Sequence, residues 1–482
     1  MTINTSDLQV PHGVLPDDVI ADPNSQGLIA FVVLDANATP ASAQTFLKEL
    51  TAMLRSLEEP DDNHRVNFTA CVGFGPSFFL SGNSSRFGLA PNQSPLGFRQ
   101  LPALTGIQGN LPILAGDIVI YAMSRREALL ATLLSFLARN RGTIAAVDIG
   151  RGYQRADRRE SFGFLDGLRN LPTDQRATVI TTTEDVEPDG PSWAIGGTYL
   201  AYLKVLQNVP VAAQIGTSGM ENTIGRRQED GSRLDQPEHM DPREEPDFDP
   251  GSNTPATASH VRKAGPRSND QRDRNDVFLF RRGVPFTDLA KDDTLETGLH
   301  FVGFARSLDY IKIVWNHWIM NPDFPVAGAG IDQLVQNNLI RVIGGAFFFV
   351  PPDDRRFIGA SIFLGPEHPA SAHAAKVLVR KAILDQNGQP TLKTLSDFGF
   401  TIFDANNNPV SQEFLTNSAG HAVSPELPLN QPLTLRETTN PLAGQGLQSQ
   451  GDLAIAPLTP AQPPTVLVCT NRFPAPSPPG YH

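Results

Sequence analysis

The sequence predicts an α+β protein of two domains, the first with a ferredoxin-like arrangement of strands and two long helices. The chain has 482 residues, which is too long for one ordinary hydrophobic core. Strand-like and helix-like patterns follow one another up to about residue 150, as in a split βαβ unit. Strands and helices return in a similar order after residue 276, so we expect a second α+β domain.

Each element of the N-terminal half has its own local signal. QGLIAFVVLDA is predicted as a buried strand from its β-branched run, and RVNFTACVGF as a strand from its alternation. A helix is predicted over about 40–59, because its apolar residues share one face and Thr39 and Pro60 bound it. GDIVIYA and TIAAVDI are predicted strands, with the helix SRREALLATLLSFLARN between them, capped by Ser124.

In the C-terminal half, VFLFRRG, GLHFVGFARS and AFFFVPP are predicted strands. Helices are predicted through Tyr310 and Trp318, in IDQLVQNNLIRV and in PASAHAAKVLVRKAILD. The chain becomes rich in Pro and Gln from Leu427, which favours a wrapping or loose tail. The predicted division is an arm (1–25), an N-terminal domain (26–220), a charged connecting loop (221–257), a C-terminal domain (258–460) and a Pro-rich tail (461–482).

Composition and charge exclude several classes of function. The net charge of −12 argues against a nucleic-acid partner, which needs a basic face. Cys71 and Cys469 lack metal-type spacing, so thiolate zinc and iron–sulfur sites are not expected, and nothing requires a disulfide. We find neither a signal-like N-terminus nor a run of eighteen apolar residues, so we expect a cytoplasmic protein with no membrane partner.

Three motifs contain residue types suited to chemistry. In GFLDG, Gly163 and Gly167 allow a sharp bend around Asp166, which could act as a general acid or base or could stand at a simple turn. His260 lies among cations in SHVRKAGPR, which suits a cofactor with carboxylates but also an exposed basic helix. In FLFRRGVPF, alternation separates Arg281 from Arg282, and either could supply a fixed charge in a pocket or a solvent-exposed ion pair.

In chain order, these motifs resemble the dye-decolourising peroxidase family of haem proteins. G-F-L-D-G is followed by H-V-R-K-x-x-P-R, F-x-R-x-G-V-P-F and G-L-x-F-V-x-F, within about residues 160 to 310. The resemblance implies two ferredoxin-like domains, with antiparallel sheets and peripheral helices, and haem bound mainly by the second. The length of the chain is similar to that of the longer members of the family.

The resemblance also implies a role for each matching residue. Asp166 and Arg281 correspond to the catalytic residues on the distal side of the haem, and His260 to the axial ligand of the iron. The other residues implied to contact the cofactor are Gly163, Gly167, Arg267, Leu299 and Phe301. Two departures, Thr287 in place of a glycine and Gly265 before the proline, bear on loop geometry and substrate access rather than on the reaction class.

The implied cofactor is one haem b per chain, and the implied reaction is that of a peroxidase. Hydrogen peroxide would be reduced through a ferryl intermediate, with Asp166 moving a proton and Arg281 stabilising developing negative charge. Dyes, phenolics or other bulky aromatic donors would then give up single electrons. Tyr310, Trp315 and Trp318 could relay these electrons, although core packing also explains them.

The sequence leaves other functions open. A haem-handling protein that removes iron or delivers haem would use the same cofactor, as would a haem-binding protein with little turnover. A protein without haem, whose charged middle segment is an interaction loop, is the third alternative. The oligomeric state is open between a monomer and a homodimer.

Overall fold

We describe the fold from a computed structural model. The described residues are 11–14, 25–81, 84–107, 116–171, 173–183, 186–187, 190–249, 251–265, 277–290, 294–365, 377–386, 391, 395–416, 420–425, 427–428, 430–458 and 465–474. They fall into two compact units. The first unit comprises those within Met1–Thr182, Pro191–Asn269 and Phe278–Glu367, and the second those within Thr183–Gly190, Asp270–Val277 and His368–His482.

The first unit is built on one large sheet. Its strands are β1 (Gln26–Leu34), β2 (Phe68–Phe74), β5 (Ile118–Ser124), β6 (Ile144–Tyr153), β7 (Thr198–Gln207), β8 (Phe280–Arg281), β9 (Val284–Leu289), β10 (Leu295–Ala305) and β11 (Ile340–Val350), and a separate pair is β3 (Leu80–Ser81) with β4 (Ser84–Ser85). The order in the sheet is β6-β1-β5-β2-β11-β7-β10-β8, with β9 also paired to β10, and these pairings are antiparallel.

Each half of this sheet has the strand order of a ferredoxin-like domain. The N-terminal half places its fourth strand beside the first, followed by the third and second (β6-β1-β5-β2), and β11-β7-β10-β8 repeats that order. The predicted α+β class with two ferredoxin-like domains is therefore confirmed. Strand β7 falls within the range 26–220 assigned above to the N-terminal domain, yet its hydrogen-bonded neighbours are β10 and β11.

Helices cover the sheet of the first unit. They are α1 (Pro40–Leu57), α2 (Pro76–Phe79), α3 (Glu127–Arg139), α4 (Thr173–Ile180), α5 (Val209–Ile224), α6 (His260–Ala264), α7 (Leu308–Lys312), which continues into a π-helix (Ile313–Ile319), α8 (Gln333–Gln336) and α9 (Ala360–Leu364). The Thr39 side chain caps α1 as predicted. The predicted cap of α3 is wrong, because Ser124 is the last residue of β5, where its hydroxyl donates to Asn67 O.

Alternate side chains of the central strands enter two different cores. In β1, Leu28 and Ala30 join the core beneath α1 and α3, whereas Ile29 and Phe31 join a second core on the opposite face. Both faces of the sheet are therefore buried, which explains the nearly continuous apolar runs of its strands.

The second unit consists mainly of strands and has its own hydrophobic core. The strands are β12 (Val377–Leu384), β13 (Gly399–Phe403), β14 (Phe414–Leu415), β15 (His421–Val423), β16 (Leu433–Thr439), β17 (Leu453–Ile455) and β18 (Thr465–Arg472). They form a three-stranded sheet, β15-β12-β18, and a four-stranded sheet, β14-β13-β16-β17.

The predicted helix PASAHAAKVLVRKAILD is wrong over Val377–Leu384, which is strand β12; the part before it lies outside the described residues. Val377, Val379 and Ile383 alternate into the core, and β12 pairs in parallel with β18, which lies within the range predicted as a Pro-rich tail. Among the described residues, no helix is long and apolar enough to cross a membrane.

Candidate active site

The short helix α6 holds His260 at its first turn. The imidazole Nδ1 lies 2.7 Å from Oδ2 of Asp332, whose side chain is fully buried. The other carboxylate oxygen, Oδ1, accepts a hydrogen bond from the Leu334 N–H at 2.9 Å and caps α8. Asp332 thus fixes the imidazole through Nδ1 and leaves Nε2 as the ring nitrogen for a ligand.

The pKa of His260 is raised above its ordinary value. Burial acts to lower it, but the charge and the hydrogen bond of Asp332 together outweigh burial. The charge of Arg281 also lowers the pKa and that of Asp166 raises it. The structure therefore brings the three predicted residues, which are far apart in sequence, within electrostatic range of one another.

The GFLDG segment forms a tight loop around Asp166. Gly163 and Gly167 have φ values of +88° and +76°, which side chains rarely adopt, so the glycines are required by the backbone conformation. The Asp166 carboxylate is exposed and accepts a hydrogen bond from Gly167 N–H at 2.6 Å. The loop therefore presents a carboxylate at its surface rather than using it in an internal ion pair.

A second carboxylate holds this loop from inside. Glu160 accepts hydrogen bonds from Phe162 N–H at 3.0 Å and Phe164 N–H at 2.9 Å, and another from the Gln207 side chain. Burial raises the pKa of Glu160, and the charge of Asp166 adds to this increase. Glu160 fixes the backbone conformation that carries Asp166.

Arg281 is clamped by a side chain of the same segment that carries Asp166. Asn170 Nδ2 donates to Arg281 O at 2.7 Å, and Asn170 Oδ1 accepts from Arg281 N–H at 3.1 Å. In the sheet, Arg281 pairs with Gly303, so it projects on the same face of the sheet as Phe301 and Leu299.

Neighbouring residues project on the opposite face of the sheet, into the second core. His300, Val302 and Phe304 of β10 are fully buried, and so is Phe280, which pairs with Phe304. Arg282 is buried with its guanidinium 4.3 Å from the centre of the Phe280 ring. Arg281 therefore faces the candidate site and Arg282 does not.

The residues present fit the haem that the resemblance implies. His260 offers a partly exposed imidazole (33% of the side chain), whose Nε2 has no hydrogen-bond partner among the described residues. Leu299 and Phe301 are half-buried apolar side chains on the face that Arg281 shares. One imidazole for the iron, together with a cation, a carboxylate and apolar side chains, is the combination of groups expected around a haem. Arg267, which the resemblance also implies to contact the cofactor, lies outside the described residues.

Three positioning residues, Asp332, Asn170 and Glu160, were not predicted from the sequence. Asp332 has a local signal, because an Asp before an apolar turn is a common helix N-cap, but its bond to His260 spans 72 positions. Of the suggested relay residues, Tyr310 and Trp318 are buried in the core, and half-buried Trp315 donates from Nε1 to Thr105 O at 2.8 Å.

Comparison with known proteins gives matches to both halves of the first unit. The family model described as "Dyp-type peroxidase, N-terminal" matches residues 19–154, and "Dyp-type peroxidase, C-terminal" matches residues 157–355. A dye-decolorizing peroxidase from Rhodococcus erythropolis is 26% identical over 276 residues, which are 55% of this chain and 70% of that protein. One from Brevibacterium linens is 23% identical over 347 residues, covering 71% of this chain and 82% of the other.

Solved structures share the fold. A DyP-type peroxidase from Cellulomonas bogoriensis superposes with a TM-score of 0.57 at 22% identity, covering 75% of this chain and all of the other. DtpA from Streptomyces lividans, solved as an oxyferrous/water mixed complex, gives a TM-score of 0.58 at 21% identity, with 75% and 100% coverage. These superpositions extend over three quarters of the chain.

Proposed function

The chain belongs to the Dyp-type peroxidase family and is a haem peroxidase, and we propose that it reduces hydrogen peroxide and oxidises bulky aromatic donors. The observation that supports this proposal best is the meeting of Asp166, Arg281 and His260 within electrostatic range. A carboxylate, a permanent cation and a ligated imidazole are the groups that peroxide chemistry at a haem needs.

His260 would hold the iron of one haem b through Nε2, with Asp332 fixing the ring through Nδ1. Leu299 and Phe301 would contribute apolar contacts from the face of the sheet that Arg281 shares. A bound haem would supply the redox chemistry, in which peroxide receives two electrons and the aromatic donors replace them one at a time.

Asp166 would move a proton between the two oxygens of peroxide. Its carboxylate is exposed on a loop whose backbone is fixed by Glu160, so it can accept a proton from one oxygen and return it to the other. Arg281 cannot lose its proton, so its guanidinium would stabilise negative charge on the oxygen that departs. The Asn170 clamp keeps the Arg281 backbone beside the segment that carries Asp166.

The test is a stopped-flow experiment on the purified, haem-loaded protein at acidic pH. We expect the Soret band to change within milliseconds of adding one equivalent of peroxide and to recover when an anthraquinone dye is added. A Soret band that peroxide leaves unchanged would contradict the peroxidase reaction while leaving haem binding intact.

The role of Asp166 is tested by Asp166→Asn, which preserves size and removes the charge. We expect the rate constant for the reaction with peroxide to fall by roughly 10²–10⁴-fold, with an unchanged haem content. Asp157→Asn is the matched control, because Asp157 is an exposed carboxylate of the same region that pairs with Arg155. A normal rate in Asp166→Asn would show that another group moves the proton.

A further inference from the structure

The second unit contains a cluster of buried polar side chains that the peroxidase reaction does not use. Lys381 of β12 and Glu437 of β16 have side chains only 0% and 2% exposed, and Asn471 of β18 is also 0% exposed. An amine, a carboxyl group and a carboxamide have thus been removed together from water. Burying such groups costs free energy unless they interact with one another, so the contacts among them indicate what role they have.

Glu437 bridges the other two side chains. Its Oε2 accepts a hydrogen bond from the Lys381 ammonium, and its Oε1 accepts one from Asn471 Nδ2 at 2.8 Å. The amine and the carboxamide are therefore held at the two oxygens of a single carboxyl group. This is the arrangement in which one acid can take a proton from the amine and give a proton to the amide nitrogen.

The carboxamide is also polarised. The backbone N–H of Gln450 donates to the carbonyl oxygen Asn471 Oδ1 at 3.0 Å. The neighbouring Ser449 hydroxyl donates instead to the carboxylate, at Glu437 Oε1, with a distance of 2.8 Å. A hydrogen bond to the carbonyl oxygen makes the Asn471 carbonyl carbon a better electrophile, because that oxygen gains negative charge when a nucleophile adds.

Aromatic rings form the wall around the amine. Lys381 Nζ lies 4.5 Å from the centre of the Phe398 ring and 5.6 Å from that of Phe400. Both phenylalanines belong to the hydrophobic core of the second unit. In such surroundings a separated ion pair is poorly stabilised, which favours transfer of the proton from the ammonium to the carboxylate.

We infer that Lys381 and Asn471 become joined by an intramolecular isopeptide bond, with Glu437 as the general base and acid. Glu437 takes a proton from the ammonium, and the neutral Nζ attacks Cγ of Asn471. The Nζ–Cγ bond forms, a proton from Nζ passes through Glu437 to Nδ2, and the Cγ–Nδ2 bond breaks. Lys–NH3+ and Asn–CONH2 thus give Lys–NH–CO–Asn and NH4+, with no oxidant or other reactant.

The topology gives this bond a mechanical purpose. Among the described residues, β12 and β18 are the first and last strands of the second unit. They pair in parallel, with Lys381 opposite Cys469 and Ile383 opposite Asn471. The bond would close a loop of 90 positions, from 381 to 471, and lock the two terminal strands together.

Cys469 also contacts the cluster but takes no part in the bond. Its Sγ lies 3.5 Å from Lys381 Nζ and 3.4 Å from Glu437 Oε2. Burial raises the pKa of this thiol to about 11, so it stays protonated and does not compete as a nucleophile.

The test is high-resolution mass spectrometry of the full chain, denatured and digested with trypsin. We expect one branched peptide joining the Lys381 and Asn471 segments, lighter than the sum of its parts by one ammonia, about 17 Da. Separate peptides of unchanged mass would overturn the inference. A link from Lys381 to Glu437, with the loss of one water (about 18 Da), would overturn it as well.

Variants assign the roles. Glu437→Gln keeps the size of the side chain but cannot take the proton, so we expect a folded protein without the branched peptide. Cys469→Ala is the matched control and should retain the bond completely. A branched peptide in Glu437→Gln, or its loss in Cys469→Ala, would refute the assigned mechanism. Asn471→Ala must abolish the link if the carboxamide is the electrophile.

Discussion

At the residue scale, His260 depends on a carboxylate that it meets only in the folded chain. The Asp332 side chain has one oxygen on the imidazole Nδ1 and the other on the backbone of α8. The negative charge makes the imidazole a stronger electron donor, and the hydrogen bond fixes the direction in which Nε2 points. Asp332 therefore supports the proposed axial ligand, His260, although it would not touch the iron.

Replacing Asp332 by Asn removes the charge while a side-chain oxygen remains. We expect haem affinity to fall by about 10–100-fold, measured as haem transfer to an excess of an apo-protein acceptor. The exposed Asp62 provides the control Asp62→Asn, which should transfer haem at the wild-type rate. If Asp332→Asn transferred haem as slowly as the wild type, packing alone would orient His260.

Glu160 connects the loop of Asp166 to pH. Burial raises its pKa above the ordinary value of 4.5, so the folded chain keeps this proton to a higher pH than the unfolded chain. The protonated carboxyl thus contributes stability that is fully present below 4.5 and is lost as pH rises through the raised pKa.

We therefore expect the free energy of unfolding to fall with rising pH in the window above 4.5, and to fall less in Glu160→Gln. Each unit of difference between the pKa values of Glu160 in the folded and unfolded chains changes the free energy of unfolding by about 1.4 kcal/mol. Urea unfolding of both proteins between about pH 4 and 7 measures this difference. Parallel curves for the two proteins would show that Glu160 does not titrate differently in the folded state.

At the element scale, α6 is positioned by the end of another helix. Gly225 ends α5 with φ +91°, and a Cβ there would lie 2.3 Å from Val261 Cγ1 and 2.9 Å from Ser259 Oγ. These two residues flank His260, so the close approach of α5 to α6 depends on the missing side chain.

Gly225→Ala should move α6 and disturb the ligation of the iron. We expect a loss of about 1–3 kcal/mol in stability and a shifted Soret band, read from urea unfolding and the visible spectrum. Gly446→Ala is matched in backbone strain, since its φ is +81°, but a Cβ there meets no atom within 4 Å. An unchanged Soret band in Gly225→Ala would show that α6 tolerates the displacement.

The charged segment after α5 contains buried charges that its sequence pattern did not predict. It was predicted as a charged loop, and Arg226 and Arg233 within it are nonetheless buried. Arg226 makes a two-fold ion pair with Glu245 at 2.7 and 3.0 Å, and Arg233 stacks 4.1 Å from the Phe248 ring. A charge run does not reveal which of its members will find a buried partner.

At the scale of the whole molecule, the two units have separate cores, and the residues proposed to hold haem belong to the first. We therefore expect calorimetry to show more than one unfolding transition, because a single two-state transition requires one cooperative core. Removing haem should lower the melting temperature of the first unit alone. Free haem at a concentration of 100 times its dissociation constant stabilises the unit that binds it by about 2.7 kcal/mol. Equal shifts of both transitions on haem removal would contradict this assignment.

The sequence by itself determined what short-range patterns encode. The amphipathic face and the N-cap of α1, the alternation of the central strands and the glycines around Asp166 are properties of neighbouring residues, and the folded chain confirms them. The spacing of the motifs also led to the haem family, since Asp166, His260 and Arg281 each stand in a recognisable local setting.

Tertiary structure decided everything that depends on distant partners. Strand β12 was predicted as a helix because the stretch before and within it is rich in Ala, Lys and Leu. Its partner strand, β18, is distant in sequence: the paired residues Lys381 and Cys469 are 88 positions apart. The same holds for Asp332 beneath His260 and for Glu437 between Lys381 and Asn471. Local propensity is a sum over neighbours, whereas strand pairing, ion pairing and burial are contacts that only chain folding brings together.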